Sequence, residues 1–147
     1  MTWFFYALAS AALWGVSYAL YEQMMKTLSA ASTMLYSSLG GIVLFFLLAS
    51  ANGTLARDWQ IVRSGGSEAK ILLTVILVNT AANMLMLMSV KEKNATVAGM
   101  VEITYPLFTA IFAWLFFKQM QLTMGSMLGF CLIVAGIACI YLFEKPA

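Results

Sequence analysis

One carboxyl stands alone in a long apolar stretch. Glu102 is the single charged side chain between Asn94 and Phe117. On a helix opening at Ala95 it lies seven residues in, about 10 Å along the axis at the usual helical rise. A charged group at such depth in a bilayer is costly and faces protein or water rather than lipid, so it reads first as a functional group. A carboxyl there can take up and release a proton, or receive a donor group of a solute. The alternative is a neutral, hydrogen-bonded structural carboxyl, with an Asn as its partner. Four positions on, Pro106 offers no N–H to the carbonyl of Glu102. The helix is therefore weakened one turn after the carboxyl, as a gating kink or a static one. Thr104 and Tyr105 add polar groups in the same turn.

Two further sets of residues accompany it. Trp14 lies near the middle of the first apolar run, whereas Trp usually settles at the membrane interface. Tyr18 follows one helical turn later, with Ser17 and Tyr21 nearby. Together they form an aromatic wall for a flat or cationic ligand, or a packed aromatic core. Asn79 and Asn83 are four apart, so they share one face of a helix. Amides at that depth need partners, supplied by a solute or by contact between the third and fourth spans. Gly125-x-x-x-Gly129 matches the small-residue pattern of a close helix–helix seam. Glu22 and Lys26, also four apart, read as an ion pair at the interface.

Other chemistries are poorly provided for. The chain has no histidine, which removes the commonest general base and metal ligand. No nucleophile–base pair and no ligand cluster stands out, so an enzyme, a metal site and a cofactor are not expected. Cys131 and Cys139 are eight apart on one apolar run, about 12 Å along a helix and too far for a disulfide within it. A net charge of +2 without a basic cluster gives no footing for nucleic acid.

The elements that must position these groups follow from the charges. Of the 147 residues 63% are apolar and 10% charged, against about 25% charged in soluble domains. That is too little charge to solvate a globule of this size. Read as punctuation, the fourteen charged residues leave five runs long enough to cross a bilayer as helices of about 20 residues. The expected spans are 3–25, 31–51, 69–90, 95–117 and 122–143, in one five-helix transmembrane domain folded as an up-down bundle. Lipid gives the backbone no partners, so helices are the expected form. The link from Asn52 to Glu68 holds Leu55–Arg63, whose mixed charge, single Trp and aliphatics suggest a short helix in the headgroup region, with a solvated loop as the alternative. The first run has no basic leader and is too long for a signal peptide, so it is expected to be a retained span.

Five spans put the termini on opposite sides. The N-terminal side then holds Arg57, Arg63, Lys70 and Lys118, and the other holds Lys26, Lys91, Lys93 and Lys145. The basic residues that normally fix orientation are tied at four each. Insertion both ways up, orientation by a partner, and a decision by charges local to the first span all fit that tie.

The order of these features resembles the drug/metabolite transporter superfamily. Leu13-Trp14-Gly15-Val16-Ser17-Tyr18 is similar to its Trp-Gly signature, the run from Val97 to Trp114 to its fourth helix, and Gly125–Gly129 through Gly136 to its fifth. The resemblance implies a single five-helix EamA-like repeat; larger members carry two such repeats in opposite orientation. After the fourth helix the family often has Gly-Glu, where this chain has Lys118-Gln119. The implied function is secondary transport of a small organic solute across a cell membrane, in a prokaryote the inner one. An inverted pair of copies around a midplane site would reproduce the two-repeat design. Glu102, Trp14, Tyr18, Asn79, Asn83 and Tyr105 are then expected at the substrate and proton site, Pro106 at the gate, and Gly125 and Gly129 in packing. The competing expectation is a non-transporting subunit that assembles with a second half-size chain.

Overall fold

A computed structural model describes residues 2–119 and 123–143. Among these the only regular elements are helices: α1 (Thr2–Met24), α2 (Ala30–Ala51), α3 (Leu55–Arg63), α4 (Ser67–Glu92), α5 (Ala95–Glu102), α6 (Tyr105–Phe117) and α7 (Met124–Phe143). Five segments are long and apolar enough to cross a membrane, with α5 and α6 together making the fourth. Each is apolar all round rather than along one stripe, as expected where lipid and not water surrounds the helix. Their large side chains point outward accordingly, with Phe45 at 68% and Leu132 at 75% exposed. In water such a surface would aggregate; in a bilayer it is solvated by acyl chains.

Local signals set the helix ends. Ser29 caps α2, its hydroxyl accepting from the Ser32 amide at 3.1 Å. Asn94 caps α5 in the same way, accepting from the Val97 amide at 2.8 Å. Ahead of α7, Thr123 and Ser126 exchange bonds: each amide donates to the other's hydroxyl. The third span is longer than its charge-free run. Glu68 lies in the first turn of α4 and Lys91 in its last, signs that favour the helix dipole at each end. The charges read as boundaries are thus inside the helix, and the turn that follows narrows to Lys93-Asn94. Leu122, the expected start of the last span, and Lys145 lie outside the described residues.

The link between α2 and α4 is built around α3. Leu55, Trp59 and Val62 share one face at helical spacing, with Arg57 and Gln60 opposite. Arg57 pairs with Asp58 at 3.0 Å. Gly53 and Gly65, at φ of 66° and 70°, make the turns on either side, a conformation that strains any residue with a Cβ.

The chain gathers into two compact units. One comprises the residues up to Glu22 with those from Ser89 onward; the other is Gln23–Met88. Among the described residues, full burial is confined to Val90, Ala95 and Ala98 in the first and Thr33 and Leu87 in the second.

Candidate functional site

The first unit brings α1 and α5 together through complementary stripes. On α1, Trp14, Tyr18 and Glu22 recur every four residues and so share a face. On α5, Ala95, Ala98, Gly99 and Glu102 follow helical spacing, and all but the last are small. Ala95 and Ala98 are buried, and the Tyr18 ring lies 3.7 Å from where a Cβ on Gly99 would sit. Small residues on one helix make room for large ones on the other, the usual route to close contact in membranes.

Polar groups close both ends of this contact. The Tyr18 hydroxyl donates to Oε2 of Glu102 at 2.5 Å. The Ala95 amide donates to Oε2 of Glu22 at 2.7 Å. The Trp14 and Tyr18 rings lie 5.6 Å apart, tilted by 39°. Trp14, about half exposed, extends the aromatic surface beyond Tyr18. Glu102 is therefore partnered by a tyrosine. Glu22 turns to the start of α5, where it accepts from the Ala95 amide. Its spacing from Trp14 and Tyr18, and the small-residue run from Ala95 to Gly99, were the signals for this role.

Glu102 ends α5, and the helix breaks at once. The Ile103 amide still reaches Gly99, but the Thr104 amide bonds to Val101, only three back. Pro106 has no amide to offer the Glu102 carbonyl, and the Leu107 amide bonds to Thr104 at 2.9 Å. The regular ladder thus gives way to one tighter turn, while Ile103 and Thr104 keep right-handed helical backbone angles. Tyr105 opens α6 and is 63% exposed; its carbonyl accepts from the Thr109 hydroxyl. Beyond the break an apolar cleft of about 250 Å³ opens among Pro106, Leu107, Ala110, Gly129 and Phe130.

The remaining candidates are placed elsewhere. In the second unit, Asn83 Nδ2 donates to both the carbonyl and the side-chain oxygen of Asn79, at 2.8 and 3.1 Å. Asn83 is thus held against Asn79 along one helix. Nothing lies within 4 Å of a Cβ on Gly129, and Gly125 meets only Thr123 at that distance. Gly129 instead faces Pro106, Leu107 and Ala110 of α6 across the cleft. Lys118 ends α6 at φ 55°, the left-handed conformation that glycine adopts freely, with its Nζ 4.9 Å over the Trp114 ring. It thus stands in a glycine-type position at the turn where the family often has Gly-Glu.

The EamA-like transporter family matches residues 1–142. No individual curated protein and no solved structure matches the chain. With the family match running through all five apolar spans, the chain belongs to the EamA-like transporter family, a family of membrane transporters of small solutes.

Proposed function

We propose that this protein moves a small organic solute across a cell membrane in exchange for protons, with Glu102 as the exchanging group. The hydrogen bond from Tyr18 to Glu102, at the end of α5 where the regular ladder breaks, carries the reading. It occupies one carboxylate oxygen and leaves the other for a proton or for a donor on the solute. No basic residue lies within α1, α5, α6 or α7. A proton or the solute is then the natural charge partner of Glu102, and competition between them couples their fluxes. Trp14 and Tyr18 form the wall against which a flat or cationic solute rests. Tyr105, Asn79 and Asn83 are further polar groups offered to the solute, each within its own unit. The break before Pro106 is the point at which the span yields during access.

The transporting form is an inverted pair of copies. An odd number of spans cannot place a second copy upside down except by inserting it the other way, and the balanced basic residues leave both orientations open. The test is reconstitution of the purified chain alone, measuring solute and proton flux together. Wild type is expected to move both. Glu102→Gln, which can still accept from Tyr18, should stay folded and lose proton-coupled flux. Full proton-coupled flux in that variant refutes the role of Glu102. Absence of flux until a second half-size chain is added would favour the assembly-subunit reading.

A further inference from the structure

The first turn of α5 carries amides that the helix itself cannot satisfy. Asn94 meets one of them locally, accepting from Val97 at 2.8 Å. The Ala98 amide makes the first regular bond of the helix, to the backbone carbonyl of Asn94 at 3.1 Å. These suffice to start a helix. Yet the Ala95 amide is met from 73 residues away, by the Glu22 carboxylate at 2.7 Å. An anion at a helix N-terminus is favourable, and the burial of Ala95 shelters the bond from competing solvent.

What this bond adds is alignment. α5 is eight residues long and ends at Glu102, where the backbone ladder to α6 is broken. It is a short rod tied to α1 at each end by a carboxylate. At its start the carboxylate belongs to α1, as Glu22; at its end it belongs to α5, as Glu102. The Tyr18 ring against Gly99 lies between the two ties. A rotation of α5 by one residue, about 100°, would carry both acceptor and donor off the shared face. α7 also packs on α5; the Glu22 bond is the directional contact that ties the start of α5 to α1.

We propose that Glu22 is a positioning residue, whose bond to the first amide of α5 holds Tyr18 opposite Glu102. The proposal rests on the reading of Glu102 as the working carboxyl, but its test does not require transport. The infrared band of the Glu102 carboxyl is to be recorded on the full chain in bilayers and assigned by its loss in Glu102→Gln. Tyr18→Phe defines where that band moves when the hydroxyl is lost. Glu22→Ala should move the band to the same place. Glu22→Gln, whose amide oxygen still accepts from Ala95, should restore it. Asn94→Ala removes only the local cap, so it should lower the melting temperature and leave the band where it is. Should Glu22→Ala fail to fold, Glu22→Asp carries the test, since a carboxylate one methylene shorter must also displace the band.

An unmoved band in Glu22→Ala, or in Glu22→Asp where that variant stands in, overturns the proposal. So does an equal movement in Asn94→Ala, which would make Glu22 a helix cap and nothing more. Solute flux is measured on the same samples. The expected band shifts in a wild-type protein without flux uphold the positioning role and defeat the transport reading. Normal flux with an unmoved band does the reverse.

Discussion

Replacing Tyr18 by Phe removes one oxygen and leaves the ring in place against Trp14 and Gly99. The lost atom is the donor of a 2.5 Å bond to Glu102. Phenol–carboxylate bonds of about that length are charge-assisted, and hydrogen bonds to charged groups in soluble proteins contribute about 1.5–3 kcal/mol. Between membrane helices the measured coupling is smaller, averaging about 0.6 and reaching about 1.7 kcal/mol, because the unfolded chain finds other partners in the bilayer. A short bond to a carboxylate belongs near the top of the membrane range, at about 1.5 kcal/mol, or roughly tenfold in an equilibrium constant. A double-mutant cycle with Tyr18→Phe and Glu102→Ala isolates the term. Reversible unfolding in lipid bicelles gives the four stabilities. The expected coupling energy is about 1–1.7 kcal/mol. A coupling below about 0.3 kcal/mol, within the additivity error of independent sites, would refute the pairing of Tyr18 with Glu102. The site built on that pairing would fall with it.

Trp14→Ala should weaken solute binding at least tenfold while the melting temperature changes little, since about half of Trp14 is exposed and contributes little packing; equal losses of binding and stability would assign Trp14 to packing. Gly99→Ala should be tolerated, because its added methyl meets the Tyr18 ring at an ordinary contact distance of 3.7 Å. Gly99→Val should displace the ring and abolish the coupling between Tyr18 and Glu102, read from the same unfolding cycle. Adding two Lys to the 52–68 link should force one orientation, read by accessibility of single cysteines on each side of the membrane. Flux should then disappear and return when a copy biased the other way is co-expressed; full flux from a singly oriented population rules out the inverted pair.

Several features of this protein were legible in residue order alone. Lipid demands long apolar runs and a backbone satisfied within each of them, so five apolar stretches, the fourth interrupted only by Glu102, read directly as five spans. The same demand makes Glu102 conspicuous, and Pro106 marks the weak point beside it because a missing amide is a property of the residue. The alternation in Leu55–Arg63 gave α3, since a helix at an interface must be two-faced. The ends of α4 were less legible, because Glu68 and Lys91 favour the helix termini as well as the water beyond them.

The partners of the polar groups were not legible, and the reason lies in the same apolar runs. A span that is apolar all round carries no stripe to say which side faces its neighbours. Nothing local therefore indicated that Glu102 meets Tyr18, 84 residues away, rather than an Asn. Nor did it show that Asn83 donates to Asn79, or that Glu22 accepts from the Ala95 amide. The meetings of Glu102 with Tyr18 and of Glu22 with Ala95 depend on the rotation and depth of one helix against another. The close approach of Ala95 and Gly99 to α1 decides them, and that fit exists only once the two helices are side by side.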